Sequence, residues 1–319
     1  MTLPDPQPRL RLALLSGLLV LSFVGLGVWL AHVQIVQHER LARLAAENVQ
    51  RKSLRPARRG AIVDRRGGVL ATSVPTKTVC ADPSFIYAHH DLVARTLAPI
   101  LQLPEADVFK RLMPRTTLTP EGTLKTNKYV ILKRKVGLEC WMQITQAMEN
   151  LNLNLPETRV PNSLLRAAKA LRRKAIFGVD DYLRQYPSRS LASHILGYVE
   201  SGETETEHGN AFEDHGVTGV ELTLDAMLTG VHGWRTTGEE MAPSHGLDAV
   251  LTIDANVQHI VEDELLRVYQ KYSPVSVSAI VVRPRTGEIL ALANLPTFDP
   301  NLPSQNPTGQ LNHALVDTY

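Results

Sequence analysis

The stretch Arg59-Gly-Ala-Ile-Val-Asp-Arg-Arg-Gly-Gly-Val-Leu-Ala71 constrains this chain more than any other. Residues 61–63 and 69–71 are apolar and rich in β-branched side chains. Gly67 and Gly68 between them supply the positive φ that a short turn needs, so the stretch reads as strand, tight turn, strand. Charge gathers at the strand ends, on Arg59, Asp64, Arg65 and Arg66. Either these residues form the solvated rim of a hairpin, or Asp64 and one arginine meet partners from elsewhere in the chain.

A length of 319 residues suggests roughly two domains. The net charge of +2 argues against nucleic acid as the main partner. Cys80 and Cys140 lack metal-ligand spacing and read as two unpaired, buried thiols, with a single disulfide as the alternative. Glu207, His208, Asp214 and His215 have no spacing that would set a metal geometry, and no cofactor is expected.

From Leu12 to Gln37 no residue carries a formal charge. As a helix, these about 26 residues would reach roughly 39 Å, more than the roughly 30 Å core of a bilayer. Trp29 and His32 stand near the far end, where interfacial side chains gather. The run is too long for a cleaved signal peptide, and Val28-Trp29-Leu30-Ala31-His32 is a poor cleavage sequence, so it reads as an uncleaved anchor after a tail at 1–11. Arg9 and Arg11 flank one side, and Arg40, Arg43, Arg51 and Lys52 the other, so the positive-inside count favours the wrong face for an exported bulk. Residues 38–58 read as a juxtamembrane helix and a basic linker broken by Pro56.

Beyond the hub, Lys77–Ala81 reads as a strand. Asp91–Leu101 reads as a helix with Leu92, Val93, Thr96, Leu97, Ile100 and Leu101 on its apolar stripe. Residues 128–136 read as a strand and 138–151 as a helix. Residues 162–176 form a basic helix with Arg166, Lys169, Arg172, Arg173 and Lys174, and 200–214 a mobile polar loop.

The hub motif resembles the first signature of the class B penicillin-binding proteins, the transpeptidases that cross-link bacterial cell walls. It matches at Arg59, Gly60, Ile62, Asp64, Arg65, Gly67, Leu70 and Ala71. Arg184-Gln-Tyr-Pro187 with Leu191-Ala-Ser-His194-Ile-Leu-Gly197 resembles the second signature, although Arg189 stands where a glycine is usual. Gly216-Val-Thr-Gly219-Val-Glu221 with Leu228-Thr-Gly230-Val-His-Gly233 resembles the third. The resemblance implies that these segments pack together in a non-catalytic pedestal, or dimerisation, domain over 59–240. We therefore expect Arg59, Asp64, Arg65, Arg184 and Glu221 to form one ion-pair network, with Gly60, Gly67, His194, Gly197, Gly219 and Gly230 as its structural companions.

Residues 246–254 read as a strand running to a helix cap at Asp254. The helix that follows has Val257, Ile260, Val261, Leu265, Leu266 and Tyr269 on one face, and strands follow at 276–282 and 288–293. Thr252-Ile-Asp254 with Gln258, Thr286-Gly-Glu288 and Leu295-Pro-Thr-Phe-Asp-Pro-Asn301 resemble the opening of the family's transpeptidase domain, here 246–319. These enzymes attack with the serine of Ser-x-x-Lys, and no serine here is followed by lysine three residues on. The resemblance thus implies an α+β chain: one transmembrane helix, a pedestal, and the start of an α/β transpeptidase domain whose nucleophile would lie beyond Tyr319. It also implies a polytopic membrane glycosyltransferase and other division or cell-wall proteins as partners. Stem peptides and β-lactams would bind only a chain that carries the serine. The rival reading is a membrane-tethered scaffold without catalysis.

Overall fold

A computed structural model describes residues 7–32, 53–118, 124–153, 161–206, 209–236 and 239–317. The chain forms two compact units, residues 1–53 with 234–240, and residues 54–233 with 241–319.

The smaller unit holds helix α1, Gln7–Ala31. Leucines, valines, Phe23 and Trp29 are exposed along it. Among the described residues no helix is long and apolar enough to cross a membrane, so they do not support the spanning helix expected over 12–37. The helix is displaced from the uncharged run: it starts before Arg9 and Arg11 and stops at Ala31, while residues 33–52 lie outside the described ones.

The larger unit is built on one long strand. Strands β1 (Ile62–Val63) and β2 (Val69–Ala81) form the expected hairpin. Only Gly67 takes positive φ, +85°, whereas Gly68 does not. Its amide instead donates to the Asp64 carboxylate at 2.6 Å, so a side chain and not a second left-handed residue closes the turn. β2 is far longer than the Lys77–Ala81 strand expected from its apolar run. Strand β3 (Val130–Val136) pairs with its distal end and β4 (Ile176–Gln185) with Thr72–Ala81.

This strand passes through two cores. Val79 and Ala81 join one with α2 (His90–Leu101), α3 (Glu105–Leu112), β3, α4 (Leu138–Glu149) and α5 (Asn162–Lys174). Leu70 and Ala71 join the other with Ile62, Tyr186, Leu196 and Leu228. The buried face of α2 is Val93, Ala94, Leu97, Ala98 and Leu101. Thr96 is turned off that stripe and its hydroxyl donates to the Leu92 carbonyl at 2.7 Å, the local bond a helical threonine favours.

Residues 199–216 are not the loop expected. They form a hairpin of β5 (Val199–Thr206) and β6 (Gly209–Gly216) in continuous register. Lys135 on β3 clamps its base, donating to Asp214 and Ser201 at 2.6 Å each. Around it lie the short helices α6 (Ser193–Leu196), α7 (Gly219–Thr223) and α8 (Asp225–Leu228).

The strand expected over 246–254 is short: β7 (Ala249–Val250), parallel to β1. Asp254 then caps α9 (Ala255–Tyr272), accepting from the Asn256 and Val257 amides. β8 (Val277–Val282) and β9 (Ile289–Leu295) form an antiparallel pair, and α10 (His313–Val316) closes the described chain. The apolar face expected on α9 is only partly used. Ile260 is 62% exposed, whereas Gln258 is fully buried. The Gln258 amide donates to the Leu292 carbonyl and accepts from the Leu292 amide, each at 2.8 Å, so its two-way bonding fastens α9 to β9.

Removing that amide would strand two backbone groups in the interior. Gln258→Ala is expected to cost about 1–3 kcal/mol in a denaturant melt, whereas Ile260→Ala should stay within about 0.5 kcal/mol.

Candidate functional site

The residues brought together from the greatest sequence distances meet at Glu221, on the first turn of α7. Its side chain is fully buried. Arg59 Nε donates to Oε2 at 2.8 Å and Arg184 Nε donates to Oε1 at 2.7 Å, with the Tyr186 hydroxyl also on Oε1 at 3.2 Å. The same arginines bind backbone. Arg59 Nη2 donates to the Glu221 carbonyl at 2.9 Å, Arg59 Nη1 to the Asp214 carbonyl at 3.0 Å, and Arg184 Nη1 to the Gly60 carbonyl at 2.7 Å. Thr229 Oγ1 at 2.7 Å and Asp225 Oδ1 at 2.7 Å complete the shell of Arg59.

The electrostatics follow from this packing. Burial works against the charge on Arg59, but Glu221 and Asp225 hold its pKa above the ordinary value. Burial, then the neighbouring Glu221 carboxylate, pushes the Tyr186 phenol up, so it remains a donor. Burial would raise the Asp225 carboxyl, yet the Gly216 amide and Arg59 hold it below the usual carboxylate range.

Asp64 and Arg65 are not part of this cluster, contrary to the expected five-residue network. Asp64 turns the other way. Its Oδ1 accepts from the Arg66 and Gly68 amides at 2.9 and 2.6 Å, and its Oδ2 from the Ala255 amide, at the start of α9, at 3.2 Å. Burial acts to raise its pKa, but these amides hold it low. Arg65 is exposed and contributes its backbone, its amide donating to the Ile253 carbonyl at 3.0 Å. The side chain that pairs is Arg66, 2.8 Å from Asp254. A residue directly in a two-glycine turn finds local amides before distant arginines, and sequence offsets did not reveal this.

The signature glycines mark close backbone approaches. A Cβ on Gly197, φ +75°, would lie 1.9 Å from the Thr218 carbonyl oxygen, and one on Gly219, φ +61°, would lie 2.5 Å from that of Ile195. The second and third segments therefore interlock through both glycines. Gly60 lies against the Leu247 carbonyl and Gly230 against that of Ser244, while Gly67 faces open space.

His194 stands apart from the ion cluster. Its Nε2 donates to the Gly309 carbonyl at 2.8 Å and its ring meets Phe298 edge-on; burial lowers its pKa. Beside it, the Tyr186 amide donates to Asn301 Oδ1 and Asn301 Nδ2 returns a bond to the Tyr186 carbonyl, both at 3.0 Å. Tyr186, Asp225, Thr229 and Asn301 carry these contacts and are not singled out by the sequence. Tyr186, Thr229 and Asn301 do lie inside matched motifs, which is the one signal available. This geometry can hold segments in register; it presents no activated nucleophile.

The penicillin-binding protein dimerisation domain matches residues 54–241, the span that contains all three signature segments. The chain belongs to the class B penicillin-binding proteins. Stage V sporulation protein D of Bacillus subtilis is 29% identical over 310 residues, covering 92% of this chain and 40% of its own. The peptidoglycan D,D-transpeptidase FtsI of Escherichia coli is 25% identical over 327 residues, covering 97% of this chain and 48% of its own. This penicillin-binding protein chain thus spans less than half the length of those curated relatives. Penicillin Binding Protein 2X of Streptococcus thermophilus shares the fold with a TM-score of 0.53 at 22% identity, over 78% of this chain and 36% of its own. The Helicobacter pylori PBP2 structure determined in complex with MreC does so with a TM-score of 0.54 at 18% identity, over 82% and 48%.

Two measurements test the cluster. Glu221→Ala leaves two buried guanidiniums without their shared carboxylate and is expected to cost about 3–5 kcal/mol, against under about 0.5 kcal/mol for Arg65→Ala. Asp64 and Asp225 have folded pKa values below their unfolded ones. Their contribution is therefore complete above about pH 4 and is lost as pH falls through the folded values. Denaturant midpoints should decline below about pH 4, less steeply in Asp64→Asn.

Proposed function

We propose that these residues are the anchor and pedestal of a peptidoglycan D,D-transpeptidase that cross-links stem peptides, of the kind used in division. The observation that carries this reading is Glu221 buried between Arg59 and Arg184, joining the first, second and third signature segments. The names of the sporulation protein and of FtsI among the relatives favour the division branch. A tether in the bacterial cytoplasmic membrane belongs to this reading on the strength of the uncharged run 12–37, and the bulk of the chain is put on its outer face on the family likeness alone. Partners would come from the cell-wall and division machinery. The MreC complex of the Helicobacter pylori relative supports that class, and a polytopic glycosyltransferase in the same membrane is the member we infer.

The ion cluster, on this reading, is a positioning device. It sets the register of segments that hold the transpeptidase part at a fixed place, and the chemistry belongs to a serine of Ser-x-x-Lys. No serine in the 319 residues has that spacing. The chain of residues 1–319 is accordingly expected to form no acyl-enzyme.

Fluorescent penicillin distinguishes this from the non-catalytic scaffold. The expressed 319-residue chain should show no covalent band. The gene product captured from its own cells with an antibody to residues 54–241 should label. A labelled band in the first sample, or an unlabelled product in the second, would overturn the reading.

A further inference from the structure

A cleft of about 540 Å³ lies between the second-signature turn and the outer face of α9. Its volume falls in the range of small-ligand sites. Leu191, Leu266 and Leu295 give it an apolar lining, and Ser190, His259 and Glu262 are among its polar groups. No lysine or arginine lines it.

Glu262 has only half of its bonding capacity in use. The Ala192 amide at 2.8 Å and the Gln258 side-chain amide at 2.7 Å both donate to Oε1. Oε2 has no hydrogen-bond partner among the described residues. Two neutral donors fix the carboxylate in place and neither supplies a positive charge. The nearby His259 is paired with Asp263, at 3.7 Å. Burial pushes the Glu262 carboxyl above its usual range, against the opposing pull of its two donors and of nearby His259.

We propose that this cleft binds a primary ammonium group carried on a short aliphatic chain, with the ammonium on Glu262 Oε2 and the methylenes along Leu191, Leu266 and Leu295. A charge-assisted bond at a half-buried carboxylate is roughly twice as strong as a neutral one. The apolar lining takes a linear hydrocarbon that water covers poorly. The occupant is either a free alkylamine or the lysine side chain of a polypeptide. Because Glu262 also holds Ala192, occupancy would be felt in the turn that carries the second signature.

The test uses the 319-residue chain in detergent micelles, with NMR of the α9 amides and the Glu262 carboxyl. The probes are cadaverine, Nα-acetyl-lysine methylamide and, as the uncharged control, Nα-acetyl-norleucine methylamide. The ammonium probes should shift the Glu262 and Leu266 signals and lower the Glu262 pKa. Glu262→Gln should weaken binding about tenfold. Leu266→Ala, at a position 44% exposed and outside both cores, should weaken it as well and serves if Glu262→Gln does not fold. Tighter binding of cadaverine marks a free amine as the occupant, and tighter binding of the lysine derivative marks a polypeptide. Equal binding of the norleucine control, binding unchanged by both substitutions, or no shift with either ammonium probe would overturn the proposal.

Discussion

The larger unit depends on one carboxylate. Glu221 sits where no water reaches it, and an isolated carboxylate there would be unstable by several kcal/mol. It tolerates that site because each oxygen is assigned: Oε2 to Arg59 and Oε1 to Arg184 and Tyr186. Hydrophobic burial has no preferred direction and would accept several arrangements of these segments. The guanidinium fork accepts few, because its nitrogens must point at partners in one plane. The gain from such a cluster lies more in choosing one arrangement than in net stability.

That choice propagates along β2. The strand holds Leu70 and Ala71 in one core and Val79 and Ala81 in the other, so whatever fixes its near end also orients the second core. Ser73, on the same strand, donates to the Arg59 carbonyl at 3.1 Å and accepts from Arg184 at 3.3 Å, which ties strand and cluster directly. On the other edge of the hub, the Ala249 amide reaches the Ala61 carbonyl and the Leu251 amide reaches that of Val63. The opening of the C-terminal segment is thereby an extension of the hub's own ladder, with Asp64 bonded to the first residue of α9.

What the sequence disclosed, and what it withheld, follows from the type of interaction. Helices whose burial rests on apolar periodicity were legible: α2 and α9 stand where the period of 3.6 placed them. The stripes differ from the periodic pattern wherever a polar side chain bonds to backbone: Thr96 falls on the apolar period and Gln258 off it, yet Thr96 turns aside and Gln258 is buried. The β5–β6 hairpin was read as a loop since glycine and acidic residues carry no strand signal and its support comes from Lys135, far away in sequence. Arg59, Arg184 and Glu221 could be grouped only through a resemblance, for nothing local to any one of them names the others. Asp64 differs from the expected network for the opposite reason: the Arg66 and Gly68 amides of its own turn take one oxygen and the Ala255 amide the other.

The second-signature turn shows how far the packing overrides local preference. Arg189 and Ala192 both take left-handed backbone, at φ +52° and +55°, a conformation that costs a non-glycine residue roughly 1–2 kcal/mol. Arg189 stands where a glycine would be at ease, so it carries that strain. The turn has bonds of its own, the Arg189 amide to the Tyr186 carbonyl at 3.0 Å and the Leu191 amide to that of Ser188 at 3.2 Å. It is also held from outside, by Glu262 on the Ala192 amide and by Asn301 on both backbone groups of Tyr186. These clamps come from α9 and from the segment after β9, both C-terminal to the three signatures. Docking between segments therefore supports the turn's shape, and because Tyr186 and Ala192 belong to the second core, the same clamps steady that core.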